Sequence, residues 1–83
     1  MAMREMTDAE CAEYAARVKK FRKVHGLSQA RMSVAAGLGW YTVCALENGV
    51  YKPFPRTVEK IEALMERYAR EAEREVEGLE GLS

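Results

Sequence analysis

Apolar residues recur at steps of three and four in two long segments of the chain, which is the spacing of one helix face. The first segment, residues 7–25, has Thr7 or Asp8 as its cap and ends at Gly26, a residue type that readily takes the left-handed conformation past a helix end. The last segment predicts a helix that continues for about fourteen residues beyond the 65th position. Its apolar seam consists of Val58, Ile61, Met65, Tyr68, Ala72, Val76 and Leu79.

Two shorter helices are predicted between these segments, at residues 29–36 and 40–47. Ser28 stands at the capping position of the first, and only a sharp turn separates the two. Residues 50–55 contain two prolines and cannot continue a helix. Because no strand-like alternation occurs, the predicted fold class is all-α, with about five helices.

The length of the chain limits its class. Its 83 residues correspond to one small domain, which excludes a two-domain enzyme with a large cofactor cleft. No apolar run approaches the ~18 residues of a membrane span, and the first residues lack the apolar core of a signal peptide. We therefore expect a cytoplasmic location and no membrane partner.

The net charge is zero, with 13 basic and 13 acidic residues, and this balance by itself argues against a nucleic-acid partner. The charges are unevenly distributed, however. Residues 1–56 hold nine basic and five acidic residues, a net of +4, whereas residues 57–83 hold four and eight, a net of −4. The asymmetry indicates either a basic face that meets phosphate or two ordinary solvated helix faces.

Neither a metal site nor a catalytic site is indicated. Cys11, Cys44 and His25 are the only Cys and His residues, fewer than the four ligands of a structural zinc site. One disulfide is compatible with the sequence, but a reduced pair suits the expected compartment better. No Ser/His/Asp or carboxylate pair stands in a plausible catalytic pattern, so we expect no enzyme activity and no cofactor.

Residues 29–46 follow the template of a helix-turn-helix. Ser33, at the fifth position, must be small because the two helices cross there, and Gly37, at the ninth, supplies the positive φ that the turn requires. The apolar positions of the template hold Met32, Ala36, Leu38, Val43 and Leu46. An ordinary helical hairpin is the alternative, since glycine turns between amphipathic helices are common.

The residues around this unit favour the helix-turn-helix over an ordinary helical hairpin. The chain contains, in order, Gly26-Leu27-Ser28-Gln29, Ala36-Gly37-Leu38, Leu46-Glu47-Asn48-Gly49 and Lys52-Pro53. As an ordered set these resemble the five-helix DNA-binding domain of lambdoid phage repressors and Cro proteins, also called the xenobiotic-response-element type. The resemblance covers about residues 17–65. It implies a repressor-like transcriptional regulator with a DNA-binding domain over residues 1–66 and double-stranded DNA as partner.

The resemblance also implies roles for particular residues. Residues 40–47 would form the recognition helix in the major groove, and Arg22 would form a structural ion pair with Glu47 that orients this helix. Breaking a buried pair of this kind costs roughly 3–5 kcal/mol. The positions expected to contact DNA are Ser28, Gln29, Gly39, Trp40, Tyr41, Thr42, Ala45, Asn48 and Lys52.

Base readout is where the sequence departs from the family. Residues 39–45 offer no bidentate partner for guanine or adenine, so we expect specificity from apolar contacts, hydroxyl groups and DNA shape. For Trp40, the alternative to a DNA contact is partial burial against the core. For Asn48, the alternative is a role only in the turn that ends the helix. An exposed pair of Trp40 and Tyr41 is equally compatible with an adaptor that binds a partner polypeptide.

The tail, residues 67–83, is predicted to be a dimerisation element, because its apolar seam would have no partner in a monomer. A homodimer also fits an inverted-repeat operator, which needs two recognition helices about one DNA turn apart. A tail that folds back on the first helix is the alternative. The acidic tail is also compatible with an antitoxin that seals a toxin, and a polymerase subunit is a further candidate partner. The predicted dimerisation residues are Met65, Tyr68, Ala72, Val76 and Leu79.

Overall fold

The computed structural model describes residues 6–50 and 52–81, with side chains as far as residue 74. These residues form helices and no strands, so the predicted all-α class is confirmed. The helices are α1 (Asp8–Val24), α2 (Gln29–Ala35), α3 (Thr42–Glu47) and α4 (Pro55–Gly81). The described part of the chain thus contains four helices, and the predicted number of five is wrong.

One long helix accounts for the difference in helix count. α4 has 27 residues and is about 40 Å long. It begins at Pro55, and proline suits the first helical position because its missing N–H would have no partner there. No glycine or proline occurs from residue 56 to residue 77, so nothing in the sequence interrupts the helix. The domain boundary predicted between residues 66 and 67 falls inside this continuous helix.

The beginning of α1 is fixed by reciprocal hydrogen bonds between a cap and the first turn. The Glu10 N–H donates to Thr7 Oγ1 at 3.1 Å, and the Thr7 N–H donates to Glu10 Oε1 at 3.0 Å. This is a capping box, which satisfies two backbone donors that the helix itself leaves free. Of the two caps that the sequence offered, Thr7 is the one used.

The first three helices all end at a glycine in the left-handed conformation. The φ angles of Gly26, Gly37 and Gly49 are 65°, 77° and 68°. At the end of α2, the Gly37 N–H donates to the Val34 carbonyl and the Leu38 N–H donates to the Ser33 carbonyl, both at 2.9 Å. This is the Schellman arrangement, which requires a φ that only glycine takes without strain. The helix ends predicted beside these glycines are confirmed.

α3 begins later than predicted. The expected helix covered residues 40–47, but Trp40 and Tyr41 lie in the turn that precedes α3. The Thr42 N–H donates to the Gly39 carbonyl at 3.0 Å and so closes this turn. Tyr41 occupies the cap position, with its carbonyl accepting from the Ala45 N–H at 3.0 Å. Both aromatic residues therefore stand ahead of the helix rather than along it.

The core lies where α1, α2 and α3 meet one face of α4. Burial of each large apolar side chain in it contributes about 1.5–3 kcal/mol. The apolar template positions of the α2–α3 region are buried in this cluster, apart from Leu38, which packs against its edge. The cluster consists of Tyr14, Val18, Met32, Ala36, Val43, Leu46, Ile61, Leu64 and Met65.

Candidate functional site

Two aromatic side chains project into solvent immediately before α3. Trp40 is 68% exposed and Tyr41 is 49% exposed, so the partial burial considered for Trp40 does not occur. Their rings meet edge to face, with centroids 5.4 Å apart and planes inclined at 71°. This geometry is favourable for aromatic pairs and keeps both rings beside each other.

Ser33 joins α2 to the beginning of α3. Its buried hydroxyl accepts a hydrogen bond from the Val43 N–H at 2.9 Å and donates one to the Gln29 carbonyl at 2.9 Å. The Val43 N–H belongs to the first turn of α3, where helix donors lack intrahelical partners. Tyr41 provides no side-chain cap, so the cap comes from another helix. The sequence indicated only that Ser33 had to be small; the polar hydroxyl was the signal for this bond.

Glu47, the last residue of α3, joins this helix to α1. Its carboxylate accepts from Arg22 Nε at 2.8 Å and from Arg22 Nη2 at 2.9 Å. The two side chains are only 14% and 4% exposed, so the predicted ion pair is present and largely shielded from water. The hydrogen bond to Glu47 raises the pKa of Arg22 above its ordinary value. Arg22 Nη1 also donates to the Leu27 carbonyl at 3.2 Å.

The two residues at the beginning of α2 are engaged within the chain. Ser28 is the cap, and its hydroxyl accepts from the Arg31 N–H at 3.1 Å. Gln29 is half-buried, and its Nε2 donates to Glu47 Oε1 at 3.3 Å. The side-chain amide of Gln29 therefore extends the Arg22–Glu47 network, whereas the sequence had predicted Gln29 as a DNA-contact residue.

Two predicted contact positions next to the aromatic pair differ in accessibility. Thr42 is half-buried. Gly39 is exposed, and a Cβ added to it would lie 3.6 Å from the Thr42 hydroxyl, which is an ordinary contact distance. Ala45 is only 5% exposed. Its methyl group is covered by the rest of the chain and is not available to a thymine methyl, so its inclusion among the contact residues is wrong.

Asn48 and Lys52 lie at the surface beyond the end of α3. Asn48 Nδ2 donates to Cys44 Sγ at 3.3 Å, a local contact across the last turn. Lys52 Nζ lies 3.4 Å from Asp8 Oδ1, and these side chains are 51% and 96% exposed. Exposed pairs of this kind contribute little to stability and exchange easily for other partners.

The residues predicted for dimerisation do not form one free surface. Met65 is 8% exposed and belongs to the core, so its assignment to a subunit interface is wrong. Tyr68 was expected to lack a partner in the monomer, but its ring lies edge-on to Phe21 at 5.3 Å and to His25 at 4.9 Å. Ala72 is exposed. The side chains of Val76 and Leu79 are outside the described residues.

The two halves of opposite charge contact each other. Arg17 of α1 makes a bidentate pair with Glu62 of α4, with distances of 2.6 Å from Nη1 to Oε1 and 3.1 Å from Nη2 to Oε2. The hydrogen bond to Glu62 raises the pKa of Arg17. The charge asymmetry seen along the sequence is therefore partly neutralised at this contact, which the sequence could not show.

Within the described residues, no three His, Cys, Asp or Glu side chains are grouped in a way that could hold a metal ion, and Cys11 and Cys44 are free thiols. In the same part of the chain, no helix combines the length and the apolar character needed to span a bilayer. No protein-family model matches the chain, and neither a curated protein nor a solved structure matches it.

Proposed function

We propose that the chain is a repressor-like transcriptional regulator that binds double-stranded DNA through a helix-turn-helix formed by α2 and α3. The observation that carries the proposal is the exposed pair of Trp40 and Tyr41 at the beginning of a helix that is fixed at both ends. Ser33 ties the first turn of α3 to α2, and Arg22 ties its last residue to α1. A helix held in this way presents its beginning to the major groove in one orientation.

The exposed groups favour recognition by contact and shape. Tyr41 and Thr42 supply hydroxyl groups, and Trp40 supplies a ring that can pack on thymine methyl groups. None of them makes the bidentate hydrogen bonds that identify guanine or adenine, so discrimination would depend on single hydrogen bonds and DNA deformability. Phosphate contacts would come from Asn48 and Lys52, which lie at the surface beyond α3.

A homodimer on an inverted repeat is part of the proposal, with a smaller seam than the sequence suggested. Met65 and Tyr68 are used within the monomer, which leaves Ala72 and the helix beyond it for a partner subunit. Ala72 borders a groove between α1 and α4 that Val24, 70% exposed, also lines. These exposed apolar groups support pairing through the second half of α4.

Selection of bound duplexes from a random pool, followed by measured affinities, tests the proposal. We expect enrichment of an inverted repeat, and a Tyr41→Ala variant that loses at least about tenfold in affinity for the enriched site, as expected for loss of about 1.4 kcal/mol of contact. Phe54→Ala is the matched control, because Phe54 is another exposed aromatic residue, 71% exposed and outside the aromatic pair. Failure to enrich any sequence would refute sequence-specific binding.

Exposure of the aromatic pair also favours a second candidate, an adaptor that binds a partner polypeptide through Trp40 and Tyr41. The two functions differ in their response to salt. DNA binding weakens steeply as the salt concentration rises, with a slope set by the number of phosphates contacted. Binding through an aromatic patch buries apolar surface and should change little over the same range.

A further inference from the structure

The basic residues of α4 all lie on one side of the helix. They are Arg56, Lys60, Arg67, Arg70 and Arg74, and we call this set the basic stripe. With Ala63 in the gap, the steps between these positions alternate between four and three residues, which places all of them within an arc of about 80°. The stripe is about 27 Å long, and each of its residues is exposed.

Four glutamates of α4 form a separate row beside α1, whereas Glu71 lies on the other flank of the basic stripe, one turn from Arg67. Glu59, Glu62, Glu66 and Glu73 follow the same alternation, with Ala69 in the gap, and lie about 90° from the basic stripe. Glu62 of this row pairs with Arg17 of α1. This pair places the acid row on the side of α4 next to Arg17, and the basic stripe lies about a quarter turn of the helix away from it.

The basic stripe borders the end of α2, a helix that contains no acidic residue. Lys60 Nζ donates to the Gly37 carbonyl at 3.3 Å. Three cations of the stripe, Lys60, Arg67 and Arg70, line a shallow groove of about 280 Å³ together with alanines of α2 and α4. No Asp or Glu occurs from residue 14 to residue 46. The positive charge of the stripe is thus not matched by the element packed next to it.

Helix stability does not explain the first cation of the stripe. Arg56 is the second residue of α4, and the first turn of this helix contains no acidic residue. The beginning of a helix carries partial positive charge, which disfavours a cation and favours an acid. An arginine at this position is a cost to the helix, which is consistent with a role for the stripe in binding.

We propose that the basic stripe binds the phosphodiester backbone of duplex DNA as a second, sequence-independent surface. The proposal rests on the DNA-binding function above. The stripe contains no aromatic or large apolar residue, whereas the centre of a protein interface is depleted of charge and rich in aromatics. Arginine and lysine contacts to phosphate supply most non-specific affinity for DNA, and arginine is suited to bidentate phosphate contacts.

One existing contact does not prevent this use of the stripe. Arg70 Nη2 lies 3.0 Å from Glu66 Oε1, but both side chains are 66% exposed. Such a pair is screened by water and salt and exchanges for a phosphate partner at little cost. Four further cations remain on the same face, so an approaching backbone meets a row of charges.

Two alanines give a matched test of the proposal. Ala63→Glu puts an acid in the middle of the basic stripe, and Ala9→Glu makes the same change in the first turn of α1, outside the stripe and the proposed dimer groove. Both alanines are exposed, and both variants carry the same net charge. On a 30-base-pair duplex of random sequence, we expect Ala63→Glu to raise Kd about three- to tenfold and to lower the salt slope by about 1. Ala63→Lys should change both quantities in the opposite direction, and Ala9→Glu should leave them near the wild-type values.

The outcomes separate this proposal from the proposed function. Equal effects of Ala63→Glu and Ala9→Glu would overturn the basic stripe as a binding surface, even if the chain selects a DNA site through Tyr41. A stripe-dependent affinity for random duplex without any enriched site would support the stripe and refute the regulator. Tighter binding of poly-glutamate than of duplex at equal charge concentration would overturn DNA as the partner, and circular dichroism would establish that each variant is folded.

Discussion

The α2–α3 unit and α4 are held in place by different kinds of contact. α2 and α3 have only seven and six residues, well below the ~12–15 residues at which isolated helices become marginally stable. Besides the core packing of Met32, Val43 and Leu46, they are held by the hydroxyl of Ser33 and by the pair between Arg22 and Glu47. α4 has 27 residues, many of them strong helix formers, and joins the core through one apolar face.

The difference shows how a small domain can orient a short helix. Apolar burial is non-directional and allows neighbouring helices some freedom to slide. A bidentate arginine–carboxylate pair allows one geometry, and a buried donor that loses its acceptor is penalised. Buried directional contacts therefore add to packing in fixing α3, the helix proposed to enter DNA, whereas α4 is held by apolar packing and an exposed ion pair.

The largest effect is expected where a directional contact is charged and buried. Arg22→Ala leaves the Glu47 carboxylate, 4% exposed, without its cation, and should lower the free energy of unfolding by about 3–5 kcal/mol. Arg17→Ala is the matched control, because its pair with Glu62 has the same bidentate form but side chains that are 59% and 40% exposed. That variant should lose about 1 kcal/mol or less in urea denaturation.

Similar losses in these two variants would contradict the assignment of different roles to the two ion pairs. Because the Arg22 variant risks unfolding entirely, Arg22→Lys provides a milder measurement. Lysine keeps the charge but cannot donate two parallel hydrogen bonds, so an intermediate loss is expected. A Lys variant as stable as the wild type would show that only charge matters at this position.

A smaller effect is expected from the uncharged contact between α2 and α3. Ser33→Ala removes the acceptor of the buried Val43 N–H and should lower the free energy of unfolding by about 1–3 kcal/mol. Ser28→Ala removes an acceptor of a backbone N–H at an exposed cap, and should cost about 1 kcal/mol. Thermal denaturation of both variants compares them directly, and a larger loss for Ser28→Ala would refute the importance of the interhelical cap.

The smallest effect at neutral pH is expected from Tyr14, a residue of the apolar core. Within the described residues, the hydroxyl of Tyr14 is buried without a hydrogen-bond partner. Tyr14→Phe should leave the free energy of unfolding unchanged or raise it by about 1 kcal/mol, since no bond is lost and a buried polar group is removed. A clear loss of stability in urea denaturation would contradict the absence of a partner.

At alkaline pH, the wild type and Tyr14→Phe should differ more in stability. Burial, and secondarily Glu62, raises the pKa of Tyr14 above its ordinary value of about 10. The unfolded chain loses this proton at about pH 10 while the folded chain retains it, so wild-type stability falls as the pH rises above about 10. The fall attributable to Tyr14 is at most about 1.4 kcal/mol per pH unit, and Tyr14→Phe should remove it.

The parts of the fold that depend on local chemistry were predictable from the sequence. The ends of three helices follow from Gly26, Gly37 and Gly49, because glycine takes a positive φ without the steric cost that other residues incur. The pairing of Arg22 with Glu47 was predicted from a resemblance, and it is present because an acid among apolar neighbours needs a partner.

Side-chain contacts between residues far apart in the sequence were not predictable. The Gln29 amide turns inward because Glu47 is within reach, and Tyr68 packs on α1 because Phe21 and His25 lie opposite it. Both facts depend on how the helices are placed, which periodicity does not specify. The same holds for Trp40 and Tyr41, which the turn at Gly39 separates from α3.

The hydrogen bond from the Val43 N–H to Ser33 has a consequence for exchange with solvent. Backbone amides in the first turn of a six-residue helix lack intrahelical acceptors and would exchange their hydrogens rapidly. The Val43 hydrogen is held by another helix, so its release requires α2 and α3 to separate. Its exchange rate therefore reports the opening of the interface between the two helices, rather than the fraying of α3.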